Sequence, residues 1–197
     1  MIITKLFTVE SAHIVRNCTS HRCSHSIHGH SAKIELSLES NQLDNAGMVY
    51  DFGLMKGTIK EFIDSMDHCY ILCGYDNPEF IEFIQKNCDR WIMIPFNPSA
   101  EMLSLFVHRF SQIITDNTIT NNGEGKIDVY SVKYWETATG SATSSKQDLD
   151  NLWNPLWEMN IKFSDGVVKD WSNDLKNIIQ KSEKVSNPII KQQIKIG

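Results

Sequence analysis

The chain lacks the long apolar runs of a membrane protein and the basic excess of a nucleic-acid-binding protein. No stretch approaches the ~18 uninterrupted apolar residues that a membrane helix requires, and the N-terminal MIITKLFTVES has no signal-peptide layout. The formal net charge is −5 and the sequence pI is near 5.8, whereas broad nucleic-acid binding requires a basic surface. We therefore expect neither a membrane nor a nucleic acid as partner.

Cysteine is scarce and its number is odd, which argues against a disulfide scaffold. The five cysteines occur in a sequence without an export signal, so we expect free thiols in a reducing, cytoplasmic setting. The apolar fraction of 41% and the charged fraction of 22% are those of an ordinary globular protein and exclude a disordered chain. With 197 residues, a single domain is the default expectation.

Alternation of apolar and polar residues predicts two strands near the start of the chain. Residues 1–13 and 28–39 alternate, and a polar loop rich in His, Cys and Ser joins them. Each strand therefore presents one face toward a core. The residues that share this face are Phe7, Val9, Ser11 and His13 in the first strand, and His28, His30, Ala32, Ile34, Leu36 and Leu38 in the second.

Two apolar stripes of helical period follow these strands. The first begins near Asp51 and extends to Met66, and the second spans Leu103 to Ile114 after the helix-start signal Asn97-Pro98-Ser99. Between them, residues 71–90 are predicted to be a variable excursion with a short helix near 79–86.

Two further strands complete the predicted fold. Residues 127–136 alternate, and residues 140–146 form the second half of a hairpin. The order β-β-α-α-β-β predicts an α+β fold in which an antiparallel sheet carries both helices on one face. This unit covers residues 1–146, and residues 147–197 are predicted to be a C-terminal extension of unknown role with a helix near 172–182.

His28-Gly29-His30 is the strongest local signal of chemistry. Residues two apart on a strand point the same way, so these imidazoles project together, about 7 Å apart along the chain, and suit one metal ion. His13 lies on the buried-type face of the neighbouring strand, where an unpaired imidazole would be costly. Three histidines without a fourth protein ligand are typical of a catalytic zinc that keeps one position for substrate or water.

Other interpretations of these histidines stay open. The pair alone is also compatible with two polar residues at the start of a strand. A structural site made of Cys18, Cys23, His28 and His30 is disfavoured, because the H-x-H spacing is shorter than that of the usual zinc finger.

Cys23 lies in the loop that leads into the second strand. A thiol near a cationic metal and a histidine ionises more readily and can act as a base or nucleophile at neutral pH. Cys18 is the rival for this role, and a loop cysteine without a role is equally compatible with the sequence.

Acidic residues at two other positions are candidates for proton transfer and ligand binding. Asp67 could orient and charge-stabilise His68 as a proton shuttle, although a solvated helix end explains the same pair. Glu136 follows Tyr130, Val132 and Tyr134 on one strand face, so its carboxylate could face inward and accept paired N–H donors from a ligand. A salt bridge at the end of the strand is the alternative.

Together these residues resemble the 6-pyruvoyl-tetrahydropterin synthase and 6-carboxy-tetrahydropterin synthase family. The resemblance runs through residues 1–146 in family order and is far more specific than the histidine pair alone. The matching stretches are FTVESAH (7–13), CSHSIHGH (23–30), MVYDFGLMK (48–56), MDH (66–68), NPSAE (97–101) and VKYWETAT (132–139).

The resemblance implies a fold and an assembly. The family's T-fold is the β-β-α-α-β-β unit, and its subunits form barrels, so we expect a homohexamer of two stacked trimers. Family sites lie at subunit interfaces, and Glu101 would contact the pterin from an adjacent subunit.

The resemblance also implies roles for the remaining candidate residues. His13, His28 and His30 would hold Zn2+, and Cys23 would abstract a proton. Glu136 would anchor the pterin and join the proton relay. The relay partners of the thiol would be Asp67 and His68.

The implied activity is that of a zinc-dependent lyase. It would convert 7,8-dihydroneopterin triphosphate to 6-carboxy-5,6,7,8-tetrahydropterin, releasing acetaldehyde and triphosphate, in queuosine biosynthesis. The alternatives are a 6-pyruvoyl product and a non-catalytic zinc- or pterin-binding protein. Four residues separate Cys23 from His28, whereas queuosine-pathway members usually have three and biopterin-pathway members five. Cations near this loop that could meet the triphosphate are Arg16, His21, Arg22 and His25.

Overall fold

The computed structural model describes residues 1–189 and contains a seven-stranded sheet in the order β7-β6-β2-β1-β3-β4-β8. A separate pair, β5 and β9, lies beside it. The strands are β1 (Ile2–His13), β2 (His28–Glu39), β3 (Cys69–Cys73), β4 (Trp91–Ile94), β5 (Thr118–Ile119), β6 (Asp128–Trp135), β7 (Ser141–Ser145), β8 (Lys162–Phe163) and β9 (Val185–Ser186).

Helices connect these strands. The α-helices are α1 (His21–His25), α2 (Thr58–Asp64), α3 (Pro78–Asn87), α4 (Ala100–Asp116), α5 (Lys146–Leu152), α6 (Asp165–Val168) and α7 (Asn173–Lys181), and 3-10 turns cover Leu54–Lys56 and Pro155–Asn160. The helix predicted near 172–182 is confirmed as α7. Among residues 1–189, no helix has the length and apolar character that crossing a membrane demands.

The predicted β1–β2 pair is confirmed over its whole length. The strands are antiparallel from Ile2 opposite Glu39 to His13 opposite His28. Residues of one face, such as Val9 and Ile34, are buried against α2 and α4, and we call this the core face. The other side of the sheet is called the outer face below.

The hairpin β6–β7 is also confirmed, with one change in the face assignment. A β-bulge at Ser37 and Leu38 shifts the register between β2 and β6. Since the shift moves the alternation by one position, Val129 is buried where Tyr130 was expected, and Tyr130 is exposed.

The sheet is mostly antiparallel, but two adjacent pairs of strands are parallel. β3 is parallel to β1 and β4 is parallel to β3, so the expectation of a purely antiparallel sheet is corrected. The excursion predicted for 71–90 contains most of β3 and all of α3. All five residues of β3 are buried, so the sequence CYILC shows no alternation that could have signalled a strand.

The first predicted helix is shorter than expected. Leu54–Lys56 forms a 3-10 turn, and α2 begins only at Thr58 because Gly57 leaves the helical region, with φ −83° and ψ −129°. Its apolar stripe is nevertheless buried, as Met55 and Met66 show. α3 lies on the other side of the sheet, where Ile84 packs with Tyr70 and Leu72.

The C-terminal extension packs on the same core as the residues before it. Trp153, Val167, Trp171, Leu175 and Ile178 all belong to the hydrophobic cluster that contains the core face of the sheet. β8 pairs with β4 and so lengthens the sheet at that edge. The part of the predicted extension at 190–197 lies outside the described residues.

Candidate metal centre and active site

Three histidines converge at the end of the β1–β2 pair. His13 faces His28 across the two strands, and His30 lies two residues further along β2. The ring centroid of His13 is 4.6 Å from that of His28 and 5.2 Å from that of His30. One nitrogen from each ring lies within 4.8 Å of the others, which is a spacing that one metal ion can bridge.

Gly29 allows the two strands to bring these histidines together. A Cβ atom at this position would lie 3.0 Å from the main-chain oxygen of Ser11 on the neighbouring strand, closer than ordinary packing permits. A larger residue between the two histidines would force the neighbouring strand to shift by a few tenths of an ångström.

The backbone fixes the orientation of two of the rings. His13 Nδ1 lies 2.8 Å from the carbonyl oxygen of Pro98, and His28 Nδ1 lies 2.9 Å from that of Ser26. A carbonyl can only accept, so each ring carries its proton on Nδ1 and turns the lone pair of Nε2 toward the cluster. This arrangement is typical of histidines that bind metals.

The electrostatics of the cluster also fit a metal ion. The Nε2 atoms of His13 and His30 are buried without a hydrogen-bond partner among the described residues. Burial, together with the neighbouring imidazoles of His28 and His30, lowers the pKa of His13 to about 4. His13 is therefore neutral at pH 7, as a ligand must be. Three converging imidazoles, two of them with an unpartnered buried Nε2 atom, suit zinc.

Glu136 lies next to the cluster, immediately after β6. Its Oε1 atom is 3.6 Å from His13 Nε2 and 3.9 Å from His30 Nε2, so it makes no hydrogen bond to either ring. The side chain is 28% exposed, which leaves the carboxylate accessible to a ligand at the rim of the site.

Helix α4 begins at the same site. Ser99 caps the helix by accepting from the Met102 amide, and the preceding Pro98 carbonyl holds His13. Glu101 is exposed in the first turn of this helix.

The loop that carries Cys23 is tied to the end of β1. The amide of Val15 donates to the carbonyl of Cys23 over 2.9 Å, which brings α1 close to the strand that carries His13. Cys18 and Cys23 are half-buried, and within residues 1–189 no thiol joins the histidine cluster. The structure therefore does not form the structural Cys2His2 site.

Arg16 is engaged in holding this loop. Its Nε atom donates to Asp76 over 2.9 Å, Nη1 donates to the carbonyl of Ser24, and the guanidinium covers the ring of Phe80. Of the cations near the loop, Arg16 is therefore already paired with an acidic side chain. His21, Arg22 and His25 are exposed.

Within one chain, Asp67 and His68 border the face of the sheet opposite to the rings of the histidine cluster. The amide of His68 donates to the carbonyl of Glu10, and Asp67 Oδ1 accepts from the amide of Glu10. Glu10 alternates with Ser11 and His13 along β1, so the pair borders the outer face whereas the cluster occupies the core face.

The surroundings of His68 form an open groove of about 640 Å³. Glu10, Gly29, His30, Tyr70 and Arg90 contribute to its lining, so the groove runs past one residue of the cluster. The imidazole is 79% exposed, with Nε2 3.8 Å from Asp67 Oδ2. The backbone of His68 has φ +50°, a left-handed conformation that costs a residue with a Cβ roughly 1 kcal/mol.

A family model described as 6-pyruvoyl tetrahydropterin synthase matches residues 2–147. The chain belongs to this family. Curated proteins named 6-carboxy-5,6,7,8-tetrahydropterin synthase in two strains of Helicobacter pylori are also similar to it. The J99 protein is 38% identical over 87% of this chain and 86% of its own length. The 26695 protein is 36% identical over 93% of this chain and 94% of its own length.

Solved structures of proteins with low sequence identity to this chain share its fold. An uncharacterized protein from Wolinella succinogenes matches with a TM-score of 0.59 at 22% identity and covers 74% of this chain and 98% of that chain. The 6-pyruvoyl tetrahydropterin synthase of Plasmodium falciparum matches with a TM-score of 0.51 at 16% identity, over 74% of this chain and 97% of that chain. The Helicobacter alignments extend further, into the C-terminal extension.

Sequence reasoning missed the parts of the site that act through the main chain. The carbonyls of Ser26 and Pro98 orient two of the imidazoles, and no residue-type pattern encodes a carbonyl. It also missed Arg90, an arginine just before the apolar segment of β4, whose Nε donates to the carbonyl of Asp67.

Proposed function

We propose that this chain is a zinc-dependent 6-carboxy-tetrahydropterin synthase. It converts 7,8-dihydroneopterin triphosphate and water into 6-carboxy-5,6,7,8-tetrahydropterin, acetaldehyde and triphosphate, in the synthesis of the 7-deazaguanine base of queuosine. The observation that carries this proposal is the convergence of His13, His28 and His30 beside the Glu136 carboxylate. Identities of 36–38% to curated relatives of that name support the choice of product.

The histidine cluster would hold the zinc ion. The orphaned Nε2 atoms of His13 and His30 and the neutral imidazole of His13 support this assignment. Zinc held there would supply Lewis-acid chemistry, which lowers the cost of removing a proton next to a polarised substrate oxygen.

Cys23 is the base that removes a side-chain proton. Its thiol is half-exposed, and its backbone is held beside the end of β1, two residues beyond His13. A positioned thiolate next to a cationic site is suited to this step. Five free cysteines also agree with a reducing, cytoplasmic location.

Glu136 binds the pterin ring and joins the proton relay. An ionised carboxylate accepts two parallel N–H donors well, and the amino group and N3 of a pterin offer such a pair. Glu101 contacts the ring from an adjacent subunit, which its exposed position in α4 permits. The exposed cations His21, Arg22 and His25 are the candidates for the triphosphate.

His68 exchanges protons in the reaction, and Asp67 orients its imidazole. In one chain this pair borders the outer face of the sheet and the zinc ligands occupy the core face, so the two halves of a site come from different subunits. We therefore propose a homohexamer of two stacked trimers, in which adjoining sheets bring an outer face to a neighbour's zinc site.

A 6-pyruvoyl product is the second candidate. The matching family model carries that name, and the gap from Cys23 to His28 is intermediate between the two branches of the family. A non-catalytic pterin-binding protein is less well supported, because binding alone needs neither the Cys23 thiol nor the Asp67–His68 pair.

Product analysis tests the proposal. Incubation with 7,8-dihydroneopterin triphosphate should release acetaldehyde in step with the carboxylated pterin, as measured with alcohol dehydrogenase and chromatography. Cys23→Ala should keep zinc and substrate binding but lose turnover by about 10²- to 10⁴-fold, because it removes the base. Cys18→Ala is the matched control and should turn over normally.

The outcomes separate the candidates. A 6-pyruvoyl pterin without acetaldehyde would contradict the proposed product and leave the zinc site standing. If Cys18→Ala lost turnover and Cys23→Ala turned over normally, the base would be Cys18 and our assignment to Cys23 would be wrong. Absence of any product from the zinc-loaded protein would favour a binding protein.

A further inference from the structure

The turn that carries Asp67 and His68 is held from two sides. On one side, Glu10 pairs with both residues: its amide donates to Asp67 Oδ1 over 2.8 Å and its carbonyl accepts from the His68 amide over 2.7 Å. The left-handed backbone of His68 persists only because its surroundings fix it. This turn therefore depends on its neighbours for its shape.

On the other side, a single guanidinium holds the turn. Arg90 Nε donates to the carbonyl of Asp67 over 2.9 Å, and Nη2 donates to the carbonyl of Asp64 at the end of α2 over 3.0 Å. The Arg90 side chain is only 18% exposed. It thus joins the end of α2 to the peptide that links Asp67 to His68.

The C-terminal extension fixes Arg90 in turn. Nη1 donates to the carbonyl of Gly166 over 2.9 Å and to Asp170 Oδ2 over 2.5 Å. Next to these residues, Trp171 Nε1 donates to Ser65 Oγ over 2.7 Å. The extension therefore contacts the segment between α2 and β3 both directly and through Arg90.

The position of the His68 imidazole follows from this backbone. The side chain is 79% exposed, and the only ionic contact that the described residues offer it is Asp67 Oδ2 at 3.8 Å. Because little packs around the ring, the conformation of the Asp67–His68 peptide sets the position from which the side chain extends and so the region that the ring can reach. The groups that hold this peptide are Glu10 and Arg90.

We infer that Arg90, clamped by Gly166 and Asp170 of the C-terminal extension, is a positioning residue for the Asp67–His68 proton relay. The inference rests on the proposed function, since it requires His68 to exchange protons in catalysis. It gives the extension a role in the reaction, although none of its residues need touch the substrate.

The test is a double-mutant cycle on the zinc-loaded, full-length enzyme. Arg90→Gln should lower kcat by roughly 10- to 100-fold, because a small displacement of a catalytic group is costly. KM and zinc content should stay unchanged, because the substrate and metal ligands lie elsewhere. In a His68→Ala background, Arg90→Gln should cause no further loss, because the two changes act on the same step.

A matched control and a milder variant keep the result interpretable. Lys169→Gln removes the ion pair between Lys169 and Asp89, which joins the extension to the same loop without touching Asp67 or His68. It should leave kcat unchanged. Arg90→Lys keeps the charge but cannot reach all the carbonyls at once, and it should give an intermediate kcat even if Arg90→Gln does not fold.

Each result decides between the inference and the proposed function. An Arg90→Gln loss that multiplies with the His68→Ala loss, or a normal kcat in Arg90→Lys, overturns the inference while His68 keeps its role. A fully active His68→Ala overturns the relay itself. A rise in KM with loss of zinc in both Arg90 variants identifies Arg90 as structural only, and this also overturns the inference.

Discussion

At the scale of single residues, hydrogen bonds to the backbone already hold two of the imidazoles of the site and leave their Nε2 atoms for a metal. The carbonyls of Pro98 and Ser26 hold the Nδ1 atoms of His13 and His28, so binding a metal requires little reorientation of these rings. Burial lowers the pKa of His13 to about 4, which removes the competition between metal and proton at neutral pH. The site is therefore preorganised for a divalent ion.

Removal of one ligand should empty this site. The purified protein should contain about one zinc per chain, and His28→Ala or His30→Ala should lose most of it, because a three-ligand site cannot spare a ligand. Metal analysis by mass spectrometry measures the content. His25→Ala is the control, since this exposed histidine lies outside the cluster, and it should keep its zinc. Full zinc in both ligand variants would contradict the assignment.

The sequence predicted the residues of this cluster because strand alternation places His28 and His30 on the core face of β2 and His13 on the core face of the neighbouring β1. It could not predict how Asp67 and His68 relate to the cluster. Their position follows from the parallel strand β3, which pairs with the edge of β1 opposite to β2. The sequence was sufficient to predict the position of a side chain that the alternation of its own strand determines. It was not sufficient where the position depends on the pairing of distant strands.

At the scale of elements, the same distinction applies. The amphipathic strands β1 and β2 and the helix α4 have clear periods and were predicted close to their observed bounds. β3 is buried on both faces, so its apolar run carried no period. The first helix is interrupted by the backbone angles of Gly57, and the pattern of apolar residues does not predict this interruption.

The docking of α6 should be sensitive to one methyl group. A Cβ atom at Gly166 would lie 2.2 Å from the carbonyl oxygen of Asp89, so Gly166→Ala must displace one of the two backbones. We expect a loss of about 1–3 kcal/mol in the free energy of unfolding, as for other overpacked sites. Urea denaturation measures it. Lys169→Gln, which removes only the exposed ion pair with Asp89, should keep the wild-type midpoint, and an equally stable Gly166→Ala would refute this tight contact.

At the scale of the whole molecule, the chain presents surfaces that a single copy leaves uncovered. The outer face of the sheet exposes Ile2, Leu6 and Tyr130, each more than 40% accessible, and the terminal strands β7 and β8 each have one edge that no strand of residues 1–189 pairs with. Exposed apolar side chains beside open edges favour association with further copies. The same face carries the Asp67–His68 pair, so association and catalysis would use one surface.

A mixture of two inactive variants should recover activity if sites are shared between subunits. His28→Ala lacks a zinc ligand and His68→Ala lacks the relay, so each homo-oligomer should be inactive. When the two are co-expressed and assemble at random, about a quarter of the sites should combine an intact zinc centre with an intact neighbouring relay. Light scattering should give six times the 22.6 kDa chain mass.

The same mixture distinguishes the arrangements of the site. If each site were contained in one chain, every chain in the mixture would carry one defect and acetaldehyde release would stay at the level of the separate variants. A monomer by light scattering would exclude the shared site directly. Recovery to about a quarter would instead require His68 of one subunit to act at the zinc centre of another, because no other pairing in the mixture is free of both substitutions.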